Sequence, residues 1–92
     1  MTKCIGIRMS IGGKHHEHIT HIRWVDDVSN KGDTSTRADM VAFVEQGGKA
    51  YVRDAQGDVA FLRVRTSSSG TKYVQTYADG IFNDNLLALP RI

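Results

Sequence analysis

Ile5, Ile7, Met9 and Ile11 stand at every second position with Gly6, Arg8 and Ser10 between them, which is the period of a strand with one buried face. Gly12-Gly13 interrupts the alternation. "HITHIRWV" then resumes it, with Ile22 and Trp24 on one side and His21, Arg23 and Val25 on the other; the two runs predict a hairpin. "DDVSNKGDTST" reads as a loop, because its Asx, Ser and Thr side chains bond to nearby backbone and favour turns. A helix follows. Ser35 or Thr36 can accept a bond from its first free amides, "TRADMVAFVEQGG" carries Met40, Val41 and Val44 at helical spacing, and Gly47-Gly48 ends it. So short a helix must be held by packing its Met40/Val44 stripe on a sheet.

The second half predicts a three-stranded meander of "KAYVRDA", "VAFLRVRT" and "KYVQTYA", joined at Gln56-Gly57-Asp58 and at "SSSGT". Both connections are too short for a parallel crossover, so these strands are antiparallel. The period of two sends Val52, Leu62, Val64 and Val74 to the core. It sends Tyr51, Arg53, Phe61, Arg63, Arg65, Tyr73, Gln75 and Tyr77 to the opposite face. In "ADGIFNDNLLALPRI" a turn at Asp79-Gly80 precedes Leu86, Leu87 and Leu89, closed by Pro90, which read as a short helical turn or docked tail plugging one end of the core. The expected architecture is α+β, in the order β-β-α-β-β-β. It is an antiparallel sheet or partly rolled barrel with one helix packed on it, residues 1–92 forming a single domain.

Composition narrows the class. A chain of 92 residues, 40% hydrophobic and 24% charged, suits one soluble core and leaves little for a deep enclosed cavity. No apolar run approaches the roughly 20 residues of a membrane span, and the alternating first residues are unlike a signal-peptide core. Neither membrane insertion nor export is expected. Cys4 is the only cysteine, which excludes an internal disulfide and a multi-cysteine zinc knuckle and fits a reducing cytoplasm. A net charge of +2 permits an acidic partner but is weaker than the footprint of a dedicated duplex binder.

"HEHI" opening the second strand, "YVQT" leading to "DG", and "DNLLALP" near the C-terminus together resemble a family of small bacterial domains of unknown function. The resemblance spans nearly the whole chain, from the first strand to Pro90, and "DNLLALP" is its most specific element. It implies a fold and no site, since the family has no established activity. Gln75 stands where the family pattern has a basic residue.

All four histidines lie in "HHEHITH". A helical zinc-protease motif requires His-Glu-x-x-His, and His16-Glu17 is followed by His18 and His21, which fails the register. On a strand, His16 and His18 share a face and His15 and His21 the other. His16 and His18 are weak metal candidates, because a structural zinc needs about four ligands and Cys4 would have to approach from the first strand. No nucleophile matches these histidines by spacing, so no catalytic residue and no cofactor is assigned, and an enzyme built on the histidines with Cys4 or Glu17 is the lesser reading. Asp79, Asn83, Asp84 and Asn85 do not follow a calcium loop, and "SSSG" is no phosphate cradle.

The stronger signal is the outer face of the meander. Tyr51, Arg53, Phe61, Arg63, Arg65, Tyr73 and Tyr77 mix rings and guanidiniums there, as single-stranded nucleic acid uses them: bases stack on rings while Arg meets phosphate. The same mixture occurs on ordinary exposed sheets and in protein interfaces, so a protein partner or homodimer is the alternative. A non-catalytic binding module is the reading.

Overall fold

A single sheet order, β3-β2-β1-β4-β5-β6-β7, runs through the computed structural model, which describes residues 1–92. Its strands are β1 (Thr2–Met9), β2 (Ile19–Asp26), β3 (Gly32–Thr36), β4 (Ala50–Arg53), β5 (Val59–Thr66), β6 (Lys72–Ala78) and β7 (Ile81–Asn83). One helix, α1 (Arg37–Glu45), lies between β3 and β4, and a 3-10 turn at His16–His18 precedes β2. Every pairing is antiparallel except β1 with β4, where Thr2 faces Ala50 and Lys3 faces Tyr51 in parallel. The sheet is therefore mixed, and it does not close into a barrel.

The hairpin, the helix and the meander are present, but the expected β-β-α-β-β-β order lacks two strands. Residues 32–36, read as loop, form β3: Thr34, Ser35 and Thr36 pair with Arg23, Ile22 and His21. The turn is confined to the residues before it, where the Asp26 carboxylate accepts from the amide and hydroxyl of Ser29 and Asn30 adopts a left-handed φ of 58°. Residues 81–83, read as part of a docked turn, form β7 against β6. Both are short edge strands without an apolar alternation, so the period that marks a half-buried strand is absent from them.

The first strand is also less regular than its alternation predicts. Register shifts fall between Cys4 and Gly6 and between Arg8 and Met9, and such bulges change which residues face inward. Cys4 and Ile7 enter the core, Ile5 is half-exposed, and Ile11 lies beyond the strand in solvent. His18 belongs to the 3-10 turn, so β2 begins one residue later than its pattern suggests.

Cys4, Ile7, Ile19, Ile22, Met40, Val41, Ala50, Val52, Leu62, Val74 and Leu86 form the core. The Thr36 hydroxyl accepts the amide of Asp39 at 3.1 Å and starts α1, whose Met40 and Val41 are buried with Val44 partly so; a cap of this kind contributes about 1 kcal/mol. The helix packs against β2, β3, β5 and β6. Leu86 is fully buried, and its amide donates to the Thr76 hydroxyl at 3.3 Å.

Beyond Leu86 the chain lies along β1. The Ile7 amide donates to the Pro90 carbonyl at 3.0 Å and the Ile92 amide to the Ile7 carbonyl at 2.9 Å. Gly6 permits this approach, since a Cβ there would stand 2.6 Å from Ile92 Cγ2. Leu86→Ala removes a fully buried side chain and should cost about 2–5 kcal/mol of unfolding free energy, measured by urea denaturation; a loss well under 1 kcal/mol would mean that the tail does not close the core.

Candidate functional site

Leu62 is buried and Val64 half-buried on the core side of β5, so the pleat turns Phe61, Arg63 and Arg65 outward. Cross-strand register then lines up one row over five strands: Lys3 beside Tyr51, Tyr51 beside Phe61, Phe61 beside Tyr77 and Tyr77 beside Phe82. Four aromatic rings stand consecutively. The Tyr51 and Phe61 centroids are 6.1 Å apart, and Tyr77 meets Phe82 edge-on at 4.9 Å, both within the range of favourable ring pairs. Phe82 was not among the residues expected here. Its strand is only three residues long, and the alternation that marked the other rings was absent.

The arginines lie on the rings. Arg63 Cζ is 3.9 Å from the Tyr77 centroid and Arg65 Cζ 4.2 Å from that of Phe82, while Arg53 is more distant from Tyr51 at 6.0 Å. Exposed contacts of this kind contribute about 0.5–1 kcal/mol each. Arg65 also donates to Gln75 Oε1 at 2.9 Å, and Gln75 Nε2 donates to the Asn83 carbonyl at 3.1 Å. Gln75 thereby orients a neighbouring guanidinium instead of presenting its amide to solvent.

Two of the seven expected residues are not open surface. Tyr51 is only 3% exposed and Tyr73 8%, although both lie on the outward side of their strands. The Tyr51 hydroxyl donates to the Asp27 carboxylate at 2.8 and 2.9 Å, and burial first and Asp27 second push its ionisation above the usual phenol value. Tyr51 therefore anchors one end of the ring row through Asp27. Phe61, Arg53, Arg63 and Arg65 remain exposed, Phe61 at 38%, and Tyr77 is half-buried.

Charge is segregated in a way the total conceals. Of twelve Lys and Arg residues, Lys3, Arg8, Arg23, Arg53, Arg63 and Arg65 occupy strand positions directed away from the core. None of the ten Asp and Glu residues does so: they sit on turns, on helical segments, or on the other side of β2 and β3, as Asp26 and Asp33 do. A single-sign face raises the local concentration of anions even on a nearly neutral protein.

The histidines assemble differently from the strand expected. His16 and His18 lie in the 3-10 turn, so they share no strand face. His18 Nδ1 accepts the amides of Lys14 and His15 at 3.2 Å each, and the His15 and His18 rings are 5.6 Å apart. His16 is buried, and Cys4 lies in the core on β1, where burial pushes its thiol up to about 12. No three His, Cys, Asp or Glu side chains are grouped to hold a metal ion.

A family model described as "Protein of unknown function (DUF3892)" matches residues 3–90. The chain belongs to the DUF3892 family. Neither the comparison with curated proteins nor that with solved structures finds a match. Membership agrees with the expected family of unknown function and assigns no activity. No helix is long and apolar enough to cross a membrane.

Tyr51→Phe removes a hydrogen bond to a carboxylate while keeping the ring and should cost about 1.5–3 kcal/mol in denaturant unfolding; an unchanged midpoint would show that Asp27 does not hold the row. Cys4 should resist a disulfide reagent in native protein at neutral pH and react stoichiometrically once unfolded, because the thiolate is the nucleophile. Rapid labelling of the folded chain would contradict its burial.

Proposed function

We propose that the outward sheet face is a non-catalytic binding surface for single-stranded nucleic acid. The observation that carries this reading is the row Tyr51–Phe61–Tyr77–Phe82 flanked by Arg53, Arg63 and Arg65, on a face whose strand positions hold no carboxylate. Bases stack on exposed rings, and guanidiniums neutralise the phosphates between them. Phe61 is the ring with no guanidinium over it and is exposed enough to receive a base. Arg63 and Arg65 are held over Tyr77 and Phe82; Arg65 spends one N–H on Gln75, and the remaining guanidinium donors are left for phosphate. Fixing these long side chains beforehand lowers the entropy lost on binding.

A second reading, association with a protein partner or another copy of the chain, has its own support. Ile81 is largely exposed on the edge strand β7, beside exposed Phe82, and apolar residues at an open edge favour pairing. Fluorescence anisotropy with labelled oligonucleotides at two salt concentrations separates the readings. Wild type should bind with an affinity that falls as salt rises. Arg63→Gln or Arg65→Gln should weaken binding and flatten the logarithmic salt slope by about 0.7 for each phosphate left without its guanidinium. Phe61→Ala should cost about 1–3 kcal/mol at either salt. No binding by wild type, or equal binding by all variants, rejects the nucleic-acid reading; sedimentation as a dimer that Phe61→Ala dissociates would favour the second.

A further inference from the structure

Only one buried side-chain nitrogen or oxygen in the protein has no hydrogen-bond partner: Nε2 of His16. His16 is 6% exposed and sits in the 3-10 turn, which packs against β6. An imidazole in that position is tolerated while neutral. A proton on it would place a charged donor in a site with no acceptor, which is among the costliest arrangements a fold can hold.

The same turn requires a second neutral imidazole for a different reason. His18 Nδ1 accepts the amides of Lys14 and His15, each at 3.2 Å. Protonation converts that nitrogen from acceptor to donor and forfeits both bonds. The turn is otherwise closed by His18 N donating to the His15 carbonyl and Ser10 N donating to the His18 carbonyl. Gly13 lies so near that a Cβ there would stand 2.5 Å from His18 Cβ.

We propose that the segment from Lys14 to His18 is a proton-operated latch, docked on β6 while His16 is neutral and released when His16 takes up a proton. This inference is independent of the nucleic-acid reading. Four charged or titratable groups act on His16: Asp84 after β7, Glu17 and His15 of its own turn, and Arg65 of β5. β6 itself carries Tyr73 and Lys72, the latter paired with Glu45 at 2.7 Å. From α1, Arg37 donates to the Glu17 carbonyl at 2.6 Å; its guanidinium stays charged at every relevant pH, so this bond does not itself respond to protons.

Burial is the largest influence on His16 and lowers its pKa; Asp84 and Glu17 oppose this, and Arg65 and His15 reinforce it. The docked form therefore binds a proton less readily than the released form. Docking is fully stable above the ordinary imidazole value of about 6.5 and weakens progressively as pH falls from there through the lower docked value.

Hydrogen exchange of the Ser10, Lys14, His15 and His18 amides, corrected for chemical exchange, tests the latch. Between about pH 7.5 and pH 5 their protection should fall several-fold, up to roughly thirtyfold, the bound for an imidazole of ordinary value that takes no proton while docked, while β5 amides hold. Asn offers an oxygen near the place of His Nδ1 and does not titrate, and Leu suits a buried site. The double variant His16→Leu/His18→Asn should therefore keep its protection at both pH values. Wild-type protection that is unchanged across this range, or a double variant that loses protection as wild type does, overturns the latch. Should the double variant fail to fold, imidazole ¹⁵N shifts of the wild type decide. An unprotonated His18 Nδ1 at neutral pH, with His16 gaining its proton below the ordinary imidazole range, supports the latch; a protonated His18 Nδ1, or an ordinary His16 titration, overturns it.

Discussion

Two residues of parallel pairing hold the two halves of this sheet together. Thr2 against Ala50 and Lys3 against Tyr51, with the Thr2 amide on the Lys49 carbonyl at 2.9 Å, join the β3-β2-β1 half to the β4-to-β7 meander. Beyond Lys3, β4 no longer borders β1, and the backbone there would lack partners. Buried amides and carbonyls must be paired, and the Pro90–Ile92 segment supplies partners at Ile7. The chain end thus takes the place beside β1 that the short parallel junction leaves open.

The aromatic row passes through that junction. Tyr51 belongs to it by pairing with Lys3 on one side and Phe61 on the other, and its hydroxyl reaches Asp27 in the β2–β3 turn. A contact 24 residues apart in sequence therefore fixes both the turn and the end of the row. Further along, Arg63 and Arg65 are laid on Tyr77 and Phe82, and the Arg65–Gln75–Asn83 chain of hydrogen bonds ties β5, β6 and β7 across the pleat. The surface is organised by its own contacts.

The face was legible because one physical rule, the two-residue period of a pleated strand, relates Leu62 to Phe61, Arg63 and Arg65 without reference to any other element. The same rule misjudged part of β1, where two bulges break the period: Ile7 is buried as expected, but Cys4 enters the core and Ile5 does not. It had no purchase on β3 or β7, whose pairing is driven by the open edges of β2 and β6 and not by their own apolar pattern. Tyr51 and Tyr73 were placed on the correct side of their strands, yet burial is a property of what lies above a residue. Alternation within a strand carries no information about that.

The histidine cluster divides the two kinds of knowledge most clearly. By itself the sequence determined that four imidazoles crowd one short segment and that their spacing misses the helical zinc register, because both follow from residue identity and separation. It likewise determined the pleat phase of the meander, which follows from local period. Only the tertiary structure decided that His16 is enclosed beside β6 with an unpartnered nitrogen, that His18 caps its own turn, and that cations from four strands share a face whose strand positions hold no carboxylate. Enclosure and charge segregation are set by contacts between residues distant in the chain, and no local pattern encodes them.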